Sequence, residues 1–327
     1  MPLTEQQKRW LDSHPELKPS ASAKKRKDGH NYRGRCIYLV TLCIEGRRPL
    51  LGTLRSPDES HRTPHVALSE LGKKVLNAWR DIPRYYPEVE TMKMQIMPDH
   101  LHGILFFKQE VAYHLGQVIN GFKKGCNDAY KLINDNTFSK LWETEYSDTI
   151  LAGPNHLDVM KNYIADNPRR LWVKQHNSSL FKKHSILVNG KSVDVMGNLH
   201  LLNYKEKVFV QCTNKLDEAG LEAAFNRFIK LAQDGNVLVT AGISKVEKAV
   251  MNWALDNNHE LILVVENGMT NLWKPSGRQF DACASCSLLI VAPWEYSKYP
   301  RKINREKCLA MNDVALAIVK GDFSCSL

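Results

Sequence analysis

Residues 91–108 read T-M-K-M-Q-I-M-P-D-H-L-H-G-I-L-F-F-K, an apolar-rich run broken in its middle by Pro98 and Asp99. Its composition predicts one extended strand, interrupted or bulged at the proline, because proline cannot donate to a sheet ladder. On a strand, side chains two apart point to the same face. His100 and His102 therefore project side by side, at a spacing that suits two imidazole ligands of one divalent cation. Taken alone, the same pair also fits two ordinary surface or core histidines.

Upstream, C-I-Y-L-V-T-L-C-I at 36–44 reads as a second strand. Ser69 is placed to cap a helix, since Leu71, Val75, Leu76 and Trp79 recur at helical spacing before Pro83. Downstream, residues 111–134 form a helical pattern with Leu115, Val118, Ile119 and Phe122 on one face and Lys123, Lys124 and Lys131 elsewhere. Leu141–Leu151 reads as a short strand. Asn155 is placed to cap a further helix, which Pro168 is expected to end.

The rhythm then changes. Residues 176–205 read as a polar connector, and from 206 short apolar strands alternate with amphipathic helices, the pattern of a parallel α/β sheet. The expected organisation is a basic flexible arm at 1–31, an α+β domain at 32–175, the connector at 176–205 and a Rossmann-like α/β domain at 206–327. The chain has 327 residues, 43% apolar and 24% charged, values that exclude a wholly disordered protein. No apolar run reaches the roughly 18 residues of a membrane span, and no apolar stretch follows the N-terminal charges as in a signal peptide. The eight cysteines have no repeating spacing and read as reduced thiols, so the cytoplasm is the expected location. Cys283-x-x-Cys286 is a lone pair with no second.

The net charge is +10, and residues 1–175 hold 27 basic and 20 acidic side chains. An excess of that kind suits a phosphate backbone, where each neutralised phosphate adds affinity by counterion release; it also suits a solvated basic tail.

Four strings in the first half occur together in one order. They are Tyr38-Leu39-Val40-Thr41-Leu42-Cys43, followed by Arg47, Pro49, Leu50, Leu51 and Gly52; then Met97-Pro98-Asp99-His100-Leu101-His102; then Leu141-Trp142 with Tyr146-Ser147-Asp148; and last Tyr163-Ile164-Ala165-Asp166-Asn167-Pro168. In these the segment 33–175 resembles the single-tyrosine HUH transposases, the endonucleases of small insertion sequences and the REP-associated tyrosine transposases. The resemblance implies an antiparallel sheet with flanking helices, the ferredoxin/RRM-like HUH fold. It implies Tyr163 as nucleophile, with His100, His102 and Asn167 as ligands of Mg²⁺ or Mn²⁺, and single-stranded or hairpin DNA as partner. It implies cutting and rejoining through a 5′-phosphotyrosine link. Lys123, Lys124, Arg169 and Arg170 are the candidate DNA contacts.

The residues agree with these roles, because a tyrosine and an asparagine four apart lie one turn from each other on one helix face. On spacing alone, Tyr163 also reads as a packing aromatic and Asn167 as a C-cap before Pro168. Tyr130 and Tyr146 are rival nucleophiles; Tyr130 has Asn134 four positions on, Tyr146 only Ile150. Asp99 stands where the family usually has asparagine. A homodimer in which a partner subunit supplies the tyrosine is compatible with the motifs.

Residues 205–320 resemble, more loosely, the Rossmann-like domain of the DprA/Smf DNA-processing family, in Val237–Gly242, Glu247-Lys248-Ala249, Glu266-Asn267-Gly268 and Leu288–Pro293. Ligands of such sheets bind beyond the carboxyl ends of the strands, but no G-x-G-x-x-G is present. The expected function is a DNA transposase or single-strand endonuclease. The alternatives are a domesticated host nuclease acting on repeat hairpins and a non-catalytic DNA- or nucleotide-binding protein.

Overall fold

Along β1 (Cys36–Cys43), Tyr38, Val40 and Leu42 face one side while Leu39 and Thr41 face the other, and this alternation organises the first half. The computed structural model describes residues 26–58, 63–134, 140–153, 155–204, 206–298 and 303–324. It divides into two units, Met1–Trp172 and Val173–Leu327.

In the first unit a hairpin of β2 (Gly52–Arg55) and β3 (His65–Leu68) follows β1. Next come α1 (Glu70–Arg80), short α2 (Ile82–Tyr85), β4 (Val89–Ile96), β5 (His100–Phe107), α3 (Leu115–Ile133), β6 (Ser147–Ile150) and α4 (His156–His176). The sheet is antiparallel throughout, in the order β4-β5-β1-β6. Its Tyr38–Val40–Leu42 face packs on α1 and α3 through Val75, Trp79, Val118, Ile119 and Phe122. The opposite face, with Leu39 and Ile104, receives α4 through Leu157, Met160 and Ile164. Ile164 is fully buried, worth roughly 1.5–3 kcal/mol of transfer free energy.

The structure departs from the sequence expectation at several points. Residues 91–108 are two strands: Pro98 and Asp99 make a two-residue turn closed by Met97 N–H donating to the His100 carbonyl at 2.8 Å. Pro168 does not end α4, which runs on to His176. The missing proline N–H costs one helical bond, and the burial of Ile164, Asn167 and Pro168 in the same stretch offsets it. Asn155 has φ +60°, outside the extended geometry of an N-cap. Of the expected arm, residues 1–25 lie outside the described residues, and 26–31 are docked. The Arg26 Nε lies 2.9 Å from Asp148 Oδ1, and His30 Nε2 lies 2.9 Å from the Tyr38 hydroxyl.

The second unit holds β7 (His184–Val188), β8 (Lys191–Gly197), β9 (Lys207–Phe209), α5 (Glu218–Gln233), β10 (Val237–Thr240), α6 (Lys245–Asp256), β11 (Leu261–Val264), α7 (Gly277–Ala284), β12 (Leu288–Ala292), α8 (Arg305–Lys320) and β13 (Phe323–Ser324). Strands β9 to β12 are parallel, as expected, but the seven-stranded sheet is mixed. Strand β8 pairs antiparallel with β12, β7 with β8, and β13 with β7. The segment expected as a polar connector, 176–205, thus supplies two strands of the sheet. Its turn is Asn189-Gly190, both in left-handed conformation, which fits the twist of a tight hairpin.

Candidate active site

Strand period places His100 and His102 on the α4 face of the first sheet, in line with Ile104. Their rings are 4.9 Å apart between centroids and nearly perpendicular. Each is pinned at Nδ1. Thr41, directly opposite His102 in the β1–β5 register, brings its Oγ1 to 2.8 Å from His102 Nδ1. Asp99 Oδ1 lies 2.6 Å from His100 Nδ1, and Arg47 Nε lies 3.3 Å from Asp99 Oδ2. A carboxylate facing Nδ1 fixes the proton there and leaves Nε2 with its lone pair; the Thr41 hydroxyl does the same for His102 when it accepts.

Burial holds the His102 imidazole down, to about 4, assisted by the charges of His100 and Arg47. His102 is therefore a neutral base at neutral pH, the form that ligates a metal. Burial pushes the Asp99 carboxyl up. The His100 hydrogen bond and the His100 and Arg47 charges outweigh that and hold it below the usual carboxylate range.

Helix α4 brings Tyr163 to this pair. Its ring centroid is 6.4 Å from that of His102, its side chain is 42% exposed, and the Arg170 guanidinium carbon lies 5.7 Å from its ring centroid. Asn167, one turn on, is buried, and its Nδ2 has no hydrogen-bond partner. Among the described residues no group of three His, Cys, Asp or Glu side chains is arranged to hold a metal ion. The expected ligands, His100, His102 and Asn167, would offer two imidazole nitrogens and an amide oxygen. That nitrogen-and-oxygen donor set fits a hard divalent cation.

The rival tyrosines are buried elsewhere. Tyr130 takes a 3.4 Å contact from Arg48, and Tyr146 lies under Arg26 with its phenol pushed up by burial. Of the basic candidates, Lys124 is exposed, whereas Lys123 is buried and its Nζ donates to the carbonyls of Glu143 and Thr144 at 2.8 and 2.9 Å. Lys123 ties down the loop before β6, so its ammonium is already engaged. Arg169 binds Asp166 through two nitrogens at 2.5 and 2.8 Å. Thr41 and Arg47 were missed as site residues, because only the strand register and the turn at 98–99 bring them to the histidines.

In the second unit the loop after β10 has Gly242 at φ +61° and Ser244 capping α6. Glu247 is buried, and its two oxygens accept from the N–H groups of Cys212 and Ile243 at 3.1 and 2.8 Å. The loop between Val237–Gly242 and Glu247-Lys248-Ala249 is thus held by a carboxylate that stitches two strand ends. Cys283 is in the core and Cys286 is exposed.

No protein-family model matches the chain. It is similar to an uncharacterized protein of Haemophilus influenzae Rd, 24% identical over 159 residues, covering 42% of this chain and 83% of that one. Among solved structures it is similar to a REP-associated tyrosine transposase bound to a REP hairpin. The identity is 16% and the TM-score 0.33, over 44% of this chain and 72% of that one. It is also similar to a proposed transposase of Deinococcus radiodurans R1, with 15% identity and TM-score 0.28 over 44% of this chain and 98% of that one. DNA processing protein A of Streptococcus pneumoniae aligns with 15% identity and TM-score 0.33, over 76% of this chain and 71% of that one. Among the described residues no helix is long and apolar enough to cross a membrane.

Proposed function

We propose that the first unit cuts and rejoins single-stranded or hairpin DNA through a covalent link between Tyr163 and the 5′ phosphate of the break. One observation carries this reading: the Tyr163 ring lies 6.4 Å from that of His102, whose ring lies 4.9 Å from that of His100, and both imidazoles are engaged at Nδ1 rather than Nε2. Tyr163 Oη attacks the scissile phosphorus, and its proton leaves to water, to which this half-exposed side chain is open. The bond from phosphorus to O3′ breaks, and the 3′ oxygen takes a proton from water as it leaves, so it departs as a hydroxyl. The same 3′-hydroxyl reverses the step by attacking the phosphotyrosine, so rejoining needs no nucleotide. His100, His102 and Asn167 would hold Mg²⁺ or Mn²⁺, which would polarise the phosphate and offset charge in the transition state. Arg170, whose guanidinium carbon lies 5.7 Å from the Tyr163 ring centroid, would meet a backbone phosphate beside the nucleophile, and Lys124, exposed on α3, one farther along the DNA.

The test is a denaturing gel of labelled hairpin DNA with Mn²⁺. Wild type should give a protein–DNA adduct that disappears with chelator and in Tyr163→Phe. Absence of any adduct across a varied library of hairpins would leave a binding protein. An adduct surviving Tyr163→Phe would remove Tyr163 as the nucleophile.

A further inference from the structure

Gly46 and Arg47 are consecutive left-handed residues, at φ +65° and +55°. Glycine adopts that conformation freely; an arginine there is strained, and the surroundings must hold it. The loop is fastened to the 98–99 turn by Ile44 N–H to the Asp99 carbonyl and Leu51 N–H to the Pro98 carbonyl, both 2.9 Å. The strained backbone turns the Arg47 side chain back over β1. There its guanidinium reaches Cys43 Sγ at 3.0 Å through one terminal nitrogen and Asp99 Oδ2 at 3.3 Å through Nε. The other Asp99 oxygen meets His100 Nδ1. Arg47 is 53% exposed, and an ion pair that open adds little stability. Its geometry does something else: it fixes the plane of the Asp99 carboxylate.

We propose that Arg47 and Asp99 are positioning residues for His100, forming a guanidinium–carboxylate–imidazole line that keeps the His100 proton on Nδ1 and aims Nε2 at the cation. The inference rests on the endonuclease reading for the identity of that cation. Asp99 does what an amide oxygen at the same place would do, but it brings a charge. Arg47 balances that charge, so the aspartate stays a directed acceptor. The two residues form one device: with a neutral acceptor at position 99, Arg47 has nothing left to balance.

The experiment is Mn²⁺ titration of the full-length protein by electron paramagnetic resonance, paired with ¹⁵N resonance of the His100 ring nitrogens without metal. In wild type Nδ1 should carry the proton. Asp99→Ala should mix the tautomers and weaken Mn²⁺ binding on the order of tenfold, the usual effect of removing such a partner, with the melting temperature little changed. Arg47→Ala should weaken it in the same direction and Arg47→Lys should restore it. Asp99→Asn should keep most of the affinity, and Arg47→Ala added to Asp99→Asn should change nothing more. The inference is overturned if Asp99→Ala leaves tautomer and affinity unchanged. It is also overturned if Arg47→Ala weakens Mn²⁺ binding equally with and without Asp99→Asn, since Arg47 would then act independently of the Asp99 charge. If wild type binds no Mn²⁺, the endonuclease reading falls, while the nitrogen spectra still decide whether Arg47 and Asp99 set the His100 tautomer.

Discussion

Lys123 and Lys124 are neighbours in sequence, and one helical step of about 100° sends them to different fates. Lys124 points to solvent, while Lys123 is buried under the loop before β6, holding two carbonyls. Burial lowers its ammonium from 10.5 to about 8. Between those values the unfolded chain still holds a proton that the native state has released. Native stability attributable to Lys123 therefore rises with pH through that window. Urea unfolding of wild type against Lys123→Met should show the wild type gaining on the variant from pH 8 to 10. A constant difference would mean that the ammonium is not desolvated. The sequence could not separate the two lysines, because a burial pattern does not say which flank of the helical stripe a loop will cover. Tyr163 was separable from Tyr130 and Tyr146 only by its string; the structure adds that both rivals are buried and engaged.

Local chemistry announced most elements of the first unit. Ser69 caps α1 by accepting from Gly72 N–H at 3.0 Å, and the apolar stripe Leu71–Val75–Trp79 faces the sheet. The two prolines misled for one physical reason, since each acts locally and the surroundings decide the outcome. Pro98 sits in a hairpin turn where no ladder bond is required of it, and Pro168 rides inside a helix seated by buried neighbours. Register was also illegible, and Thr41 owes its place at His102 to register alone. Gly103 couples fold to site: it follows His102 and faces the opposite side, where an added Cβ would lie 2.3 Å from Trp79 Cζ2. Trp79 cannot retreat, being almost fully buried with Phe122 edge-on at 5.4 Å. Gly103→Ala should therefore overpack this contact and cost about 1–3 kcal/mol. The check is a lowered urea midpoint at unchanged slope; a variant as stable as wild type would show slack around the indole.

At the scale of the whole chain, the change of rhythm near residue 175 was legible and corresponds to the division at Trp172/Val173. The mixed sheet beyond it was not. Hairpin β7–β8 carries Asn189-Gly190 between alternating apolar residues, a usable signal that the polar composition of 176–205 obscured. Charge is the other whole-chain property, and it was readable from composition: +7 of the net +10 falls in residues 1–175. If that excess meets DNA, hairpin affinity should fall linearly in log–log terms with salt, by roughly 0.7 to 0.9 per phosphate neutralised. Position then decides which lysine contributes. Lys124→Ala, removing an exposed charge, should reduce the salt slope by about 1, whereas Lys123→Met should leave it unchanged because that ammonium already serves two carbonyls. Fluorescence anisotropy of a labelled hairpin from 50 to 200 mM salt measures both slopes. A slope lost with Lys123 rather than Lys124 would mean that the loop before β6 opens on binding and releases the buried ammonium to a phosphate.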